Sequence, residues 1–565
     1  MKRLQPSLSK RLKNYNTVKF QLGCILEDIF IMESATQQAN NFNKNRFGLN
    51  LLVSALLKAG LIYLLVELMI TVLQPLRTDD TFWHLKIGEI LCQQKQFPAV
   101  SPLLFTSGTT KPVYHEWLFQ VILFQVYAFF GWTGLKIFHA ILCISILAAL
   151  FSFMKTVTRN GFILLSGLIL FILFSYQRLI QLRPELFSML LFFLLYKRLI
   201  QLPCFSFKQA LFFFCMTVFW ANLHSLGPLI LLFHLGFILA GIIFKKILKL
   251  LPALDLLSQI KAFLVMMMGF CVNPLGVRFY TFYFTGNAIN PYSKVIDEWG
   301  HMNPFGLHDF LPLSSPLLVW GFVCLAGLTL FSCIAVRLTL LKIIRKIIPF
   351  PNQETILPLF HDAYFSACGI VALALMGYAV RFFWLIPLPW LGMAPYFKSR
   401  IKMPPLFSFL LSLILVLSGF IHFHLEGTKI YRIPLDVPGM WKAYFSWPYD
   451  QIKYHDRSVR FLIHIHAKGN ICNPYHLGGF LAFHLYPQCS MFIDGRFEHY
   501  TEKVNKDHYE LMHPGESFSR LINRYPIDYF FLPVEEEYAD LIRKLNQLQW
   551  TILFQDHHTI IFQRP

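Results

Sequence analysis

The run Thr78-Asp79-Asp80-Thr81-Phe82-Trp83-His84-Leu85-Lys86-Ile87-Gly88-Glu89 sets two adjacent carboxylates and a Trp-His pair just beyond the first long apolar stretch, residues 51 to 74. Ionisable residues at the mouth of a membrane helix mark a functional site by default, because carboxylate chemistry there can meet a lipid-borne substrate at the bilayer surface. If residues 81 to 91 are helical, Asp80 and His84 stand four apart and share one face. A second polar group, Tyr114-His115-Glu116-Trp117, closes the same loop before the chain turns apolar again. Two acidic sites are therefore expected to converge at one entrance. The structural alternative is that Thr78, Asp79 or Asp80 N-caps a short interfacial helix and Trp83 lies in the aromatic belt.

The elements that hold this loop follow from composition. Of 565 residues, 55% are hydrophobic, 59 are Phe and only 14% are charged, against about 25% charged in soluble domains. The chain is read as a polytopic α-helical membrane protein with about 11 to 13 crossings, each needing about 20 mostly apolar residues. Candidate spans lie near 51–74, 117–131, 135–154, 161–176, 185–200, 209–222, 226–244, 259–273, 314–336, 364–380, 382–397 and 404–422.

A net charge of +19 would suggest nucleic acid for a soluble protein, but here the basic residues fall between apolar runs. The positive-inside rule then reads Lys197, Arg198, Lys208, Lys245, Lys246, Lys249, Arg337, Lys342, Arg345, Lys346, Lys398, Arg400 and Lys402 as cytoplasmic and excludes nucleic-acid binding as the reason for the charge. Residues 1–50 read as a basic cytoplasmic tail, with no apolar core of the kind a cleaved signal peptide needs. Twelve crossings would return the chain to the cytoplasm after residue 422, whereas the basic loops place it outside. Either one candidate between 117 and 200 does not cross or two of them are one element; the charge pattern is the better guide.

After residues 51–424, composition turns polar, and residues 425–565 read as an outer α/β domain. A helix is expected over Asp456–Gly469 with Asp456 as N-cap, and another over 539–550. Strands are expected at 491–494, 529–532, 551–555 and 559–563, the last two forming a hairpin that turns at Asp556-His557-His558. Residues 251–258 and 347–358 read as linkers or interfacial segments. Cys472 and Cys489 share this domain and are candidates for a disulfide, which geometry decides. The pairs His422/His424 and His464/His466 read as ordinary packed or solvated histidines, since residues two apart on a helix do not face each other.

The order D-x-x-W-H-L-x-x-G-E at 80 to 89, the proline-bearing stretch Phe97 to Pro102, and H-E-W-L at 115 to 118 resembles a bacterial group of multi-spanning GT-C-type glycosyltransferases. Further matches are Arg183-Pro184-Glu185, Trp220-Ala221-Asn222-Leu223-His224, Asn273-Pro274-Leu275-Gly276, Glu298-Trp299, Gly478-Gly479 and Asp494-Gly495-Arg496. The likeness covers most of residues 50 to 565. Where that group often has Asp before the first-loop proline, this chain has Ser101-Pro102.

The resemblance implies a sugar donor carried on a polyprenyl phosphate, a lipid or glycan acceptor, and a bacterial inner membrane with loop 75–116 and the last domain in the periplasm. Inverting transfer needs a general base at the acceptor hydroxyl and a cation or metal for the departing phosphate. Asp80 is the carboxylate expected in that role, with Asp79 as its rival. His84 would orient the base, relay a proton or help hold a metal; His115 and Glu116 would position substrate. Asp80 and Glu116 are the oxygen ligands expected for a Mg or Mn ion, if one is used. Arg178, Arg183 and Arg381 are candidates for the phosphate, against snorkelling to the headgroups. Asn222 and His224 would line the cavity or lie solvated at the interface. Asn273-Pro274 and Asn303-Pro304 mark turns, and Asp494-Gly495-Arg496 reads as a tight turn with an ion pair, or as a ligand loop. Two other classes stay open: a transporter or flippase of lipid-linked glycans, and a noncatalytic envelope-assembly protein.

Overall fold

The computed structural model describes residues 48–108, 111–202, 204–246, 255–281, 342, 353–392, 405–430, 446–496 and 499–565. The expectations for the tail up to residue 47, the span 314–336, Glu298-Trp299, Asn303-Pro304, linker positions 251–254 and 347–352, basic positions 249, 337, 345, 346, 398, 400 and 402, and the His422 and His424 side chains fall outside them.

Helix α1 (Gly48–Val72) is followed by α2 (Asp80–Gln94), α3 (Trp117–Val157), α4 (Gly161–Leu179), α5 (Glu185–Ile200), α6 (Phe207–Leu223), α7 (Leu229–Lys246) and α8 (Leu256–Phe270). Then come α9 (Gln353–Tyr378), a 3-10 turn over Val380–Leu385, α10 (Pro387–Gly392) and α11 (Pro405–Ile430). Among the described residues, α1, α3, α4, α7 and the Leu359–Tyr378 part of α9 are the five helices long and apolar enough to cross a membrane. Helices α6 and α8 and residues 408–420 are shorter apolar pieces.

The stretches 117–131 and 135–154 form two helical arms of α3 that meet at Gly131, where the backbone leaves helical geometry at a φ of 62° that is open to glycine. At 1.5 Å per residue the whole would measure about 60 Å, twice a bilayer core. The first arm instead packs along α2, so closely that a Cβ on Gly88 would lie 2.1 Å from the Gln120 carbonyl oxygen.

The helices then alternate between two ends. Arg178 at the close of α4 meets Glu185 at the start of α5, and Ser188 of α5 meets His224 just past α6. At the other end Lys197 donates to Ser152, and Gln259 donates to the Leu199 carbonyl. The latter end carries Lys155, Lys197, Arg198, Lys245 and Lys246 in the last turns of α3, α5 and α7.

Residues 382–392, the described part of the span expected at 382–397, hold instead the 3-10 turn and the six-residue α10. Pro387 and Pro389 interrupt a regular ladder. The segment descends from Phe383, whose ring lies 5.6 Å from Phe174, to Trp390, which donates to the Ile163 carbonyl at 3.0 Å. Broken backbone is tolerated at membrane depth where protein covers it, and Phe383, Trp384, Leu385, Ile386, Leu388 and Trp390 are all buried. Helix α11 continues to Ile430, past the residue-425 boundary set by composition.

The last domain is α/β: α12 (Asp456–His464), β1 (Gly469–Cys472), α13 (Gly478–Leu485), β2 (Cys489–Met491), α14 (Glu502–Met512), α15 (Phe518–Arg524), β3 (Tyr529–Pro533), α16 (Ala539–Gln547), β4 (Thr551–Gln555) and β5 (Thr559–Gln563). The sheet order is β2-β1-β3-β5-β4, parallel from β2 to β3 and antiparallel beyond. The hairpin forms as expected, with Asp556 Oδ1 accepting from the His558 and Thr559 amides.

Four details differ from expectation. The strand expected at 491–494 is β2, which ends at Met491. Asp456 is the first helical residue rather than the cap, its carboxylate accepting from Tyr449 and Arg460. Gly469 starts β1 instead of ending the helix. Cys472 and Cys489 are free: Cys489 pairs with Gly469 in the parallel register, three residues along the strand from Cys472.

This domain is not a detached appendage. Leu103 and Phe105 of the loop between α2 and α3 exchange backbone hydrogen bonds with Met491, adding a short parallel bridge at the free edge of β2. Arg77 pairs with Asp450. Phe82, fully buried, packs 4.8 Å from both the Tyr454 and Phe480 rings, 5.6 Å from Tyr449 and 6.0 Å from Trp132. The aromatic cluster welds α2 to the last domain.

Candidate active site

Asp80 opens α2 with its side chain 24% exposed. One carboxylate oxygen accepts from the Trp83 indole N–H at 3.1 Å, and the other lies 2.9 Å from the Arg183 guanidinium. The first is a local consequence of helical spacing, residues three apart meeting on one face. The second comes from the loop between α4 and α5, where Pro184 and Glu185 start the next helix. Thr81 Oγ1 reaches the Leu182 carbonyl of that loop at 3.5 Å.

Asp79 takes the N-cap position of α2 but makes no side-chain cap bond. Its carboxylate accepts from Tyr454 at 2.8 Å and lies 2.6 Å from Lys453 Nζ. Adjacent in sequence, the two aspartates thus face different partners: Asp79 holds the outer domain, and Asp80 faces the membrane helices.

His84 lies one turn below Asp80 but turns to Glu116. Around that carboxylate stand His115 Nε2 at 3.4 Å, His224 Nε2 at 3.6 Å and His84 Nε2 at 3.9 Å. Burial pushes the His84 and His224 rings down to about 3, outweighing the pull of Glu116. Burial alone would raise Glu116, yet the charge and hydrogen bond of His115, with His224 and His84 behind it, hold the carboxyl at about 2. At neutral pH Glu116 is therefore an anion facing two uncharged imidazoles. Ser188 fixes the far side of His224 at 2.8 Å and in turn accepts from Trp220 at 2.7 Å.

The remaining expected residues divide. Asn222 is structural: it accepts from Trp117 at 2.6 Å and donates to the Val218 and Val272 carbonyls. Asn273 closes a turn after α8, its side chain accepting from the Leu275 amide. Arg178 is buried against Glu185 at 3.6 Å. Arg381 is buried at the head of the broken segment, near enough for its charge to act on His224.

Asp494-Gly495-Arg496 meets the site directly. Asp494 and Arg496 form a wholly buried pair, Arg496 Nε lying 2.9 Å from Asp494 Oδ2, and the guanidinium sits 5.7 Å over the Trp83 ring. Ser101, where the related group often has Asp, accepts from Arg496 at 3.3 Å. A Cβ on Gly495 would come within 2.7 Å of Asp80 Oδ1, and one on Gly479 within 3.0 Å of Trp83 Cδ1. Both glycines are there because the outer domain approaches α2 by its backbone.

Sequence reasoning missed Lys453, Tyr454 and Ser188. Nothing in their spacing marks them, and Tyr454 reaches Asp79 from 375 positions away. Asp80 and Glu116, expected as oxygen ligands for Mg or Mn, lie on separate partners. Among the described residues no group of three or more His, Cys, Asp or Glu side chains is arranged to hold a metal ion. At Asp80 the Arg183 guanidinium already pairs with the carboxylate at 2.9 Å.

No protein-family model and no curated protein matches the chain. Solved structures do. The oligosaccharyltransferase AglB of the archaeon Archaeoglobus fulgidus, in complex with an inhibitory peptide and a dolichol-phosphate, matches with TM-score 0.52 and 10% identity over 87% of this chain and 72% of that one. An Archaeoglobus fulgidus oligosaccharyltransferase tethered to an acceptor peptide gives 0.47, with 9% identity over 89% and 74%. ArnT from Cupriavidus metallidurans, bound to undecaprenyl phosphate, gives 0.44, with 12% identity over 89% and 97%. The first of these shows the architecture: the chain has the GT-C-type membrane fold, the fold to which its motifs from Asp80 to Arg496 pointed.

Proposed function

We propose that the protein is a membrane glycosyltransferase that moves a sugar from a polyprenyl-phosphate-linked donor to an envelope acceptor on the outer face of the membrane. The carrying observation is Asp80: a partly exposed carboxylate held on both oxygens, by Trp83 and Arg183, at the junction of membrane helices and outer domain. The AglB structure that shares this fold holds a dolichol-phosphate, which supports a lipid-phosphate donor here.

The reaction is an inverting displacement. The acceptor oxygen attacks the anomeric carbon, the bond from that carbon to the phosphate oxygen breaks, and the acceptor proton passes to Asp80. The polyprenyl phosphate leaves with the electron pair, and the Arg183 guanidinium stabilises the charge it gains. Glu116 and its histidines form the floor beneath this centre and set the position of α2 through His84. On the positive-inside reading, the Lys- and Arg-bearing helix ends face the cytoplasm and the site faces the periplasm.

The test is mass spectrometry of envelope glycans and glycolipids from the native host lacking the protein, rescued with wild type or Asp80→Asn. A sugar mass lost in the deletion and restored by wild type alone is expected. Equal rescue by a correctly inserted Asp80→Asn protein removes Asp80 as the base and favours transport or assembly.

A further inference from the structure

We propose that Ser188 is a positioning residue for the transfer reaction: with Trp220 it fixes His224 in the tautomer that carries its proton on Nε2, and that N–H holds Glu116 and, through His84, the helix that begins at Asp80. The proposal rests on the glycosyl-transfer reading above.

The hydrogen bonds leave the tautomer one choice. Ser188 in the first turn of α5 and Trp220 near the end of α6 are both wholly buried. An indole N–H can only donate, so the Ser188 oxygen accepts from Trp220 Nε1 at 2.7 Å. Its own O–H then has His224 Nδ1, at 2.8 Å, as its acceptor, and meets no other among the described residues. Burial keeps the His224 ring uncharged at neutral pH, which gives it a single N–H to place. On Nδ1, that hydrogen would leave the buried Ser188 O–H without an acceptor, a costly arrangement, and would turn a bare Nε2 lone pair toward the Glu116 carboxylate 3.6 Å away. On Nε2, it frees Nδ1 to accept from Ser188 and faces the anion. The bond at one ring nitrogen thus sets the proton on the other. Nothing does the same for His84, whose Nδ1 has no hydrogen-bond partner among the described residues.

This small network reaches the proposed base through the helices it joins. His224 leaves the end of α6 in extended backbone, and Asn222, two residues earlier, accepts from Trp117 at 2.6 Å while donating to the Val218 and Val272 carbonyls. One helix end therefore grips the consecutive residues Glu116 and Trp117 at the point where the loop becomes α3. Glu116 in turn faces His84 at 3.9 Å, one turn along α2 from Asp80. Trp220-Ala221-Asn222-Leu223-His224 and His115-Glu116-Trp117 share one task, and Ser188 on α5 supplies the direction of its central contact.

The experiment is nitrogen NMR of the full-length protein with isotope-labelled histidine in lipid nanodiscs, the His224 signals being identified by their loss in His224→Gln. Wild type is expected to show a protonated Nε2 and a bare, hydrogen-bonded Nδ1. Ser188→Ala removes the donor and should move both His224 nitrogens toward the averaged shifts of mixed tautomers, and Ser188→Thr, which keeps a hydroxyl, should restore them. Transfer is followed in parallel, as the initial rate at which the sugar mass defined by envelope mass spectrometry forms in deletion-host membranes carrying equal amounts of folded protein. That rate should fall about tenfold in Ser188→Ala, the scale of one lost hydrogen bond, and recover in Ser188→Thr.

A wild-type His224 protonated on Nδ1 would overturn the proposal without recourse to a variant. So would a Ser188→Ala protein that keeps the wild-type tautomer, or one that loses it and still transfers at the wild-type rate. A folded Ser188→Thr protein that regains the tautomer but not the rate would mark Ser188 as packing alone. Wild-type transfer by Asp80→Asn defeats the base assignment, while the Ser188→Ala rate still decides the positioning role.

Discussion

Gly495→Ala inserts one methyl group between the outer domain and the proposed base. The added Cβ would stand 2.7 Å from Asp80 Oδ1 and 3.0 Å from Trp83 Nε1, inside the 3.1 Å hydrogen bond that joins them. Ordinary contact lies near 3.5 Å, so the carboxylate must retreat by about 0.5–1 Å. A side-chain end can make that move cheaply, and the cost to unfolding should stay below about 1 kcal/mol. The cost to catalysis is larger, because a misplacement of about 1 Å lowers rates on the order of a hundredfold. Two neighbours calibrate it. Gly479→Ala meets Trp83 Cδ1 at 3.0 Å and the Asp79 carbonyl at 3.2 Å, a milder intrusion. Gly478→Ala meets the Ile493 carbonyl at 2.1 Å and Asp494 Cα at 2.9 Å, backbone that cannot step aside, and should destabilise the protein by about 1–3 kcal/mol. Initial rates of sugar transfer per folded molecule, paired with denaturant unfolding and the Trp83 indole proton shift, separate the three. Wild-type kcat in Gly495→Ala, or a loss no greater than its loss of folded protein, would refute the claim that the outer domain positions Asp80.

Acid should weaken the fold through the buried histidine-carboxylate floor. His84 and His224 sit near 3 against an ordinary 6.5, and Glu116 near 2 against 4.5. All three are depressed, so the unfolded chain binds protons that the folded one resists; the stability is complete above pH 6.5 and falls as pH drops toward 3. Denaturant midpoints at pH 7 and pH 4 check this, and a His84→Gln/His224→Gln variant with an undiminished slope would contradict it. Asp79→Asn should cost much less transfer than Asp80→Asn, because Lys453 and Tyr454 already hold the Asp79 carboxylate; equal losses in the same assay would move the base to Asp79. Gly88→Ala should destabilise by about 1–3 kcal/mol through overpacking, since its Cβ meets the Gln120 backbone at 2.1 Å; wild-type unfolding would show that α2 and α3 separate freely.

The membrane character and the helix after Asp79 were legible because each rests on local pattern, apolar run length and helical spacing, whereas His84, expected to serve Asp80, turns to Glu116. The kink at Gly131 was illegible because it bends the element while keeping the apolar run nearly continuous. The broken segment at 380–392 looked like a span because hydropathy does not distinguish burial against protein from burial in lipid. The different roles of Asp79 and Asp80 were illegible for another reason. They are set by Tyr454 and Arg183, contacts across 375 and 103 positions, and no local spacing encodes those.

Those distant contacts explain why the outer domain belongs to the site. Asp80 is hydrogen-bonded from its own helix, ion-paired from the loop between α4 and α5, and closed over by Gly495 of the outer domain. On the proposed transfer mechanism, fixing this side chain from three directions before substrate arrives would remove reorganisation from the reaction step, which is where preorganised electrostatics gains its effect. The same logic accounts for the buried Asp494-Arg496 pair. A lone charge at that depth would be strongly disfavoured, but as a pair it holds a rigid turn with a cation above Trp83, and Trp83 holds Asp80. Separating the partners by Arg496→Leu should therefore unfold the turn at a cost of about 3–5 kcal/mol, whereas Asp494→Asn with Arg496→Leu should recover much of that stability without restoring transfer. Recovery of both would show that the pair supports the fold only and that Asp80 is held well enough by Arg183 alone.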